Sequence, residues 1–256
     1  MSGQTPSEPG AARAGSPNAI STSAHTYPAL GREMTGFLAA PAGAGRRPGI
    51  VVVHEATGLG DHVRHRASRL AELGYVALAA DMFGTGPGEI PVADGRRLTE
   101  ELAAAPARIV GLLEAAIGAL RGLDFVDERH LAVIGYCFGG TAALELARSG
   151  ADVAAVACFH GRLTALSATV TMPIAAQILV CVGAEDPMIP RSTIDGFAEE
   201  MTAASADWRL VLYGGAKHAF TDVHAARMGV PGVEYSELAD RRSWTELLCV
   251  LEETLT

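Results

Sequence analysis

Short apolar runs alternate along the chain with longer segments in which apolar residues recur every three or four positions. Short runs rich in β-branched residues are typical of buried strands, and the longer segments are typical of helices. The predicted strands are Gly49–His54, Tyr75–Ala80, Leu131–Ile134, Val153–Phe159, Ile174–Val182 and Trp208–Tyr213. The predicted helices are Asp61–Leu73, capped by Asp61 and stopped by Gly74, then Leu98–Leu123 with a break at Pro106, Thr141–Ala147, Ser192–Ala204 and Ser236–Leu255.

This alternation predicts an α/β protein with a mostly parallel, doubly wound sheet and helices on both faces. Before the first of these strands, Tyr27–Leu30 and Glu33–Ala40 flank a Gly-Arg pair and predict an N-terminal antiparallel hairpin. Residues 1–24 are rich in Ser, Pro, Gly, Ala and Thr and have almost no apolar pattern, which predicts a disordered tail. One domain is therefore expected over residues 25–256.

The apolar run that ends at Ile134 leads into a Gly-x-Cys-x-Gly pentapeptide centred on Cys137. A sharp turn from strand to helix forces its middle residue into strained dihedral angles, and Gly135 and Gly139 provide the room that such a turn requires. The turn would expose the Cys137 sulfur beside a helix N-terminus, which favours a thiolate. The alternative is that Cys137 is a buried structural cysteine, which is common for a free cysteine.

Two further candidates follow later strands: Asp186 comes after the run Ile178–Val182, and His218 after Trp208–Tyr213. Ligands on parallel sheets bind at the carboxyl ends of the strands, so these side chains are expected to meet Cys137 there. His218 would be the base for the thiol, and Asp186 would hold the other ring nitrogen. Taken singly, Asp186 is equally a turn residue and His218 a solvated loop histidine.

Acyl transfer also requires hydrogen-bond donors for a developing oxyanion. The expected donors are the backbone N–H of Phe138, which follows the nucleophile, and that of Ala56, in the loop after the first core strand. Glu55 lies beside Ala56 and is expected to engage the thiol before substrate arrives; its alternative is a partly solvated loop acid. His160, which follows a strand, either lines the pocket or has a structural role.

The composition narrows the classes of function. Of 256 residues, 49% are hydrophobic, and the formal charge is −9, so the sequence provides no basic surface for nucleic acid or an anionic membrane. It contains no apolar run long enough to span a membrane, and residues 1–23 have no apolar core typical of a secretory signal. A cytoplasmic location is expected by default. The expected partner is a small molecule.

The other reactive side chains predict neither a metal site nor a cofactor site. Cys158, Cys181 and Cys249 are expected to be reduced core residues, because no C-x-x-C pair occurs and the cytosol is reducing. His62 and His65 lie three apart on a predicted helix, but further zinc ligands are not evident, so a solvated helix face is expected. The segment Gly84–Gly88 lacks the Lys-Ser/Thr of a phosphate loop.

These motifs resemble the dienelactone hydrolase (carboxymethylenebutenolidase) family of the α/β-hydrolase superfamily. The resemblance extends from about Tyr27 to the C-terminus, and its points are Gly36–Pro41, His54-Glu55, Gly135–Gly140, Gly183–Asp186 and His218–Phe220. It implies the α/β-hydrolase fold, a catalytic triad of Cys137, His218 and Asp186, and a Glu55 that holds the resting cysteine. It also implies cofactor-free opening of an unsaturated lactone through a thioester.

One departure from the family pattern bears on the substrate. In the best-known members two arginines clamp a substrate carboxylate, and they would fall near Thr85 and Asp222 of this chain, where neither residue is arginine. Arg162 and Arg227 are the candidate substitutes. A lactone or ester without that carboxylate is therefore an open alternative, as are a general carboxylesterase and a non-catalytic binding protein on a hydrolase scaffold.

Overall fold

The computed structural model describes residues 19–167 and 173–256. Its strands are β1 (Ile20–Ala29), β2 (Arg32–Pro41), β3 (Arg47–Val53), β4 (Val76–Ala80), β5 (Val126–Tyr136), β6 (Ala155–Phe159), β7 (Gln177–Gly183) and β8 (Trp208–Tyr213). Its helices are α1 (Asp61–Glu72), α2 (Val92–Ala103), α3 (Pro106–Arg121), α4 (Phe138–Arg148), α5 (Arg191–Ala203) and α6 (Glu237–Thr254), with a short 3-10 helix at Ala225–Met228. The predicted alternation of strands and helices is confirmed.

The eight strands form a single sheet in the order β1-β2-β4-β3-β5-β6-β7-β8. β1 and β2 form the predicted antiparallel hairpin, β2 pairs antiparallel with β4, and all remaining pairs are parallel. The central position of β5 places the turn that follows it in the middle of the carboxyl edge of the sheet. The turns after β7 and β8 open on the same edge.

Helices cover both faces of the sheet, and each face has its own apolar core. On one face α1 and α6 pack through residues such as Leu70 and Leu247. On the other face α3, α4 and α5 pack through residues such as Leu113, Leu144 and Phe197. The central parts of β3 to β7 are buried on both faces and are apolar, as parallel strands in such sheets are, whereas β5 begins with the polar residues 127–130.

Several predicted boundaries differ from the structure. β1 begins at Ile20, so the prediction of a disordered tail is wrong for Ile20–Ala24; residues 1–18 lie outside the described residues. The residues Ser21, Thr22 and Ser23 are exposed on an edge strand, which explains why they carry no apolar pattern. Asp61 is the first residue of α1 rather than its cap, and Gly60 occupies the cap position. The break at Pro106 is real and separates α2 from α3.

Among the described residues, none of the helices is by itself long and apolar enough to cross a membrane. Only α2 and α3 taken together reach that length and composition, and they are bent by 102° at the break between them.

Candidate active site

The turn between β5 and α4 has the strained geometry that the pentapeptide predicts. Cys137 has φ +52° and ψ −115°, a combination that residues with side chains rarely adopt. A Cβ on Gly135 would lie 2.0 Å from the carbonyl oxygen of Gly139, and a Cβ on Gly139 would lie 2.3 Å from that of Val53. Both glycines are therefore required by close approach of the backbone.

A buried histidine fixes the backbone of this turn. The N–H of Cys137 donates to the carbonyl oxygen of Phe159 at 2.9 Å and also to Nδ1 of His160 at 3.1 Å. The proton of the ring therefore lies on Nε2, which donates to Oγ1 of Thr221 at 2.8 Å. Burial holds the pKa of His160 well below its ordinary value, so the imidazole stays neutral. Of the two interpretations left open for His160, the structure therefore supports the structural role.

The three predicted side chains meet at the carboxyl edge of the sheet. Nε2 of His218 lies 3.2 Å from the Cys137 sulfur, and Nδ1 of His218 lies 2.8 Å from Oδ2 of Asp186. The loop of His218 is held by Val233 and its neighbours, because the His218 N–H donates to the carbonyl oxygen of Gly232 at 3.0 Å. A thiol, an imidazole and a carboxylate are thus in continuous hydrogen-bond contact, an arrangement that can support acyl transfer.

The ionisation of His218 follows from its two neighbours. Burial alone would lower its pKa, but the hydrogen bonds to Asp186 and to Cys137 outweigh burial and raise the pKa to about 10. The imidazole is therefore protonated at neutral pH and places a positive charge beside the sulfur.

Asp186 is both a turn residue and the hydrogen-bond partner of His218, the two alternatives that its sequence left open. One carboxylate oxygen, Oδ2, accepts from His218, and the other, Oδ1, accepts from the backbone N–H of Met188 at 2.8 Å. The side chain is fully buried, so both contacts are made away from water. The same aspartate thus fixes the turn after β7 and orients the imidazole.

His54 holds the loop after β3 in place through two hydrogen bonds. The N–H of Met82 donates to Nε2 of His54 at 3.1 Å, so the proton lies on Nδ1, which donates to the carbonyl oxygen of Glu55 at 2.7 Å. Burial lowers the pKa of His54, which keeps this tautomer neutral. Ala56 follows Glu55 and lines the same cavity as Cys137, while Phe138 begins α4 directly after Cys137.

The Glu55 carboxylate does not engage the thiol in this structure, contrary to expectation. Its Oε1 accepts a hydrogen bond from Nδ1 of His62, in the first turn of α1, whereas the Cys137 sulfur contacts His218. The alternative of a solvated acid is also wrong, because only 7% of the Glu55 side chain is exposed. The prediction of a solvated helix face is wrong for His62, which is 10% exposed, and holds for His65.

A cavity of about 380 Å³ opens above Cys137 and His218. Its walls are largely apolar, contributed by Val92, Met188, Ala219, Met228, Val230 and Val233. Among the described residues, its charged lining residues besides the histidine are Glu55, Arg96 and Glu100. Glu55 is bonded to His62, and Arg96 lies 3.3 Å from Glu100 on an exposed turn of α2.

The positions considered for binding a substrate carboxylate do not line this cavity. Asp222 lines a separate polar cavity beside α1, and neither Arg162 nor Arg227 is among the residues that line the cavity of Cys137. Thr85 donates its N–H to the carboxylate of Asp81 at 3.3 Å, within a turn. Sequence analysis missed Arg96, because residues 92–97 of α2 are mostly exposed and carry no apolar pattern.

The remaining cysteines are partly as expected. Cys158 and Cys181 are buried in β6 and β7, but Cys249 is exposed on α6, so the prediction of a core residue is wrong there. In ranges 19–167 and 173–256, no three His, Cys, Asp or Glu side chains are grouped as metal ligands would be.

Comparisons with known proteins identify the family of this chain. A model of the dienelactone hydrolase family matches residues 34–255. A Methylorubrum extorquens protein named "Putative carboxymethylenebutenolidase" is 30% identical over 194 residues, which cover 72% of this chain and 67% of that protein. A dienelactone hydrolase-like promiscuous phosphotriesterase from metagenomic libraries is 36% identical with a TM-score of 0.89, over 93% of this chain and 100% of that one.

A more distant solved structure supports the fold alone. The dienelactone hydrolase from Anabaena variabilis is 19% identical, with a TM-score of 0.66 over 93% of this chain and 99% of that one. The family match covers most of the chain, including every candidate residue of the site. The chain therefore belongs to the dienelactone hydrolase family and is a hydrolase with the α/β-hydrolase fold.

Proposed function

We propose that this protein hydrolyses a small lactone or ester through a thioester on Cys137. The observation that carries the proposal is the continuous contact from the Cys137 sulfur through His218 to Asp186. A thiolate attacks the carbonyl carbon, and the C–O bond to the leaving alcohol breaks as the imidazolium of His218 gives the alcohol its proton. Water then attacks the thioester with His218 as base, and the sulfur leaves as thiolate.

The oxyanion of each tetrahedral intermediate requires donors that are fixed before the reaction. We assign this role to the backbone N–H groups of Phe138 and Ala56. Phe138 is held by the strained turn and by α4, and Ala56 follows a carbonyl group that His54 fixes. Removing one such donor costs roughly 100-fold or more in turnover, so the rigidity of both segments matters for rate.

The cavity favours an uncharged substrate over one that carries a carboxylate. Its walls are apolar, its Glu55 is negative, and Arg96 is paired with Glu100 at the exposed rim. A substrate carboxylate would lose its hydration without gaining a buried bidentate partner. We therefore place a neutral ester or lactone, as a carboxylesterase of this family would take, ahead of a carboxylate-bearing dienelactone.

The test compares Cys137→Ala with a matched Cys249→Ala variant, whose cysteine is exposed and far from this chemistry along the chain. With p-nitrophenyl butyrate as substrate, Cys137→Ala is expected to lose turnover while Cys249→Ala keeps it. An acyl adduct should appear on Cys137 by mass spectrometry after rapid acid quench. Full turnover by Cys137→Ala contradicts the proposal, and absence of turnover and of an acyl adduct in the parent protein points to a non-catalytic scaffold.

A second candidate substrate is a neutral phosphotriester. It is favoured by the likeness to the metagenomic phosphotriesterase and by the same uncharged, apolar walls. An assay with a p-nitrophenyl dialkyl phosphate tests it beside the ester and dienelactone. Phosphate triester turnover that survives Cys137→Ala would separate this activity from the proposed ester chemistry.

A further inference from the structure

The carboxylate of Glu55 is placed where a negative charge opposes the proposed chemistry. It is buried, lines the cavity of Cys137, and belongs to the residue before Ala56. A carboxylate close to a thiolate or a developing oxyanion disfavours both charges. If Cys137 is to react as a nucleophile, other residues must therefore hold the Glu55 carboxylate away from the sulfur and stabilise its charge.

The partner of that carboxylate is His62, and its tautomer follows from the hydrogen bonds. Nε of Arg66 lies 3.1 Å from Nε2 of His62. A guanidinium donates but never accepts, so Nε2 of His62 carries a lone pair and the ring proton lies on Nδ1. That proton points at Oε1 of Glu55, which accepts it. Arg66 thereby fixes His62 as the donor that the carboxylate requires.

Arg66 is itself held on three sides. Its Nη2 donates to the carbonyl oxygen of Thr221 at 2.6 Å and forms an ion pair with Asp240 at 2.5 Å. Its guanidinium also lies 5.4 Å from the ring centroid of Trp244. The side chain is 3% exposed, so α1 and α6 together set its position. Asp240, Arg66, His62 and Glu55 thus form one continuous chain of contacts that ends at the active-site cavity.

Burial by itself would raise the pKa of Glu55, but the interaction with His62, which donates a hydrogen bond to the carboxylate, outweighs burial and lowers it. The carboxylate is therefore ionised. Its Oε1 is hydrogen-bonded to His62, which in turn contacts the guanidinium of Arg66.

We infer that His62 is a positioning residue for the proposed reaction, which keeps the Glu55 carboxylate turned away from the Cys137 sulfur. The inference rests on the proposed function. Without His62, the carboxylate is free to hydrogen-bond the sulfur, and a sulfur that shares a proton with a carboxylate is a weaker nucleophile. His62 never touches the substrate, and it acts only through Glu55.

A purely structural role for His62 makes a different prediction. Its ring packs edge-on against Tyr136, with 4.7 Å between the ring centroids, so its loss also removes a packing contact below the turn. If packing alone matters, neutralising Glu55 does not help a His62 variant. If positioning matters, removing the charge of Glu55 restores the reactivity of the sulfur. A double variant therefore separates the two roles.

The experiment measures the rate of iodoacetamide labelling of Cys137 at neutral pH in a Cys249→Ser background, because Cys249 is the exposed competitor and Cys158 and Cys181 are buried. His62→Phe, which keeps a ring against Tyr136 but has no donor, is expected to slow labelling and ester turnover about tenfold or more, by analogy with the loss of residues that orient metal ligands. His62→Asn, whose amide N–H replaces Nδ1–H, is expected to stay close to the parent.

Glu55→Gln added to His62→Phe is expected to recover most of the lost labelling rate. His65→Leu, three residues further along α1 and exposed, is the control and is expected to change neither rate. If His62→Phe lowers the urea midpoint, His62→Leu replaces it. Parent-like labelling in His62→Phe or its replacement His62→Leu, or a loss that Glu55→Gln does not relieve, overturns the inference. Labelling measures the reactivity of the Cys137 sulfur directly, so it tests the role of His62 even if ester turnover proves independent of Cys137.

Discussion

The turn that carries Cys137 has no room for a methyl group at Gly139, and this yields a sharp test of how the site is built. In Gly139→Ala the new Cβ would stand 2.3 Å from the carbonyl oxygen of Val53, 2.6 Å from its carbon and 2.8 Å from the carbonyl oxygen of His54. All three are backbone atoms of the adjacent strand end, which no side-chain rotation can move aside. The first turn of α4 must instead shift away from β3.

The size of that shift follows from the contact distances. Ordinary carbon contacts are about 3.5 Å, so α4 and the end of β3 must separate by about 1 Å. The movement carries the sulfur of Cys137 and the N–H of Phe138 away from the loop of Ala56. A displacement of about 1 Å at reacting groups lowers turnover roughly 100-fold, and overpacking of this kind destabilises a fold by about 1–3 kcal/mol.

The assay is turnover of p-nitrophenyl butyrate alongside urea unfolding. The matched control is Gly196→Ala, on the exposed face of helix α5, where an added Cβ meets nothing within 4 Å. That control is expected to keep turnover and to gain about 0.5–1 kcal/mol, because alanine is the better helix former. Turnover of Gly139→Ala within threefold of the parent would refute the reasoning that backbone proximity positions the nucleophile.

Three further outcomes are expected. Asp186→Asn keeps the shape of the turn but offers His218 the wrong hydrogen-bond partner, so turnover should fall by about 1,000-fold or more with a near-parental urea midpoint; a small loss would contradict the orienting role. Because the pKa of His218 is raised to about 10, its contribution to the stability of the folded protein is complete below about pH 6.5 and is lost as pH rises through about 10. The urea midpoint should therefore fall over that interval, and it should fall less in Cys137→Ala. Equal pH curves for the two proteins would contradict the role of Cys137 in raising this pKa. Arg148→Met leaves the buried carboxylate of Glu145 without its cation and should lower the free energy of unfolding by about 3–5 kcal/mol in urea titrations; a change below about 1 kcal/mol would contradict the importance of that pair.

The parts of the fold that depend on burial could be predicted from the sequence. The strands β4, β6 and β7 and the later halves of β3 and β5 are largely apolar because they are buried on two faces, so the alternation and the parallel sheet follow from hydropathy. The edge strand β1 and the start of α2 are polar and exposed, which hides them from the same argument. Their boundaries depend on pairing and on contacts with distant residues.

The candidate site divides in a similar way. Cys137, Asp186 and His218 each end a recognisable strand, so topology alone predicts that they meet. The contact between Glu55 and His62 crosses a glycine-containing loop whose path no local pattern specifies. A histidine one position inside a helix, shortly after a buried acid, was the only signal available, and that signal is equally typical of a solvated helix face.

The dihedral angles of Cys137 have an evolutionary consequence. A residue with a side chain at φ +52° is strained by about 1–3 kcal/mol, and glycine at that position would relax. Selection for stability and selection for reactivity therefore pull this codon in opposite directions. In a lineage that no longer needs the reaction, substitution of glycine at this position would be favoured, and such a homologue should have the higher free energy of unfolding.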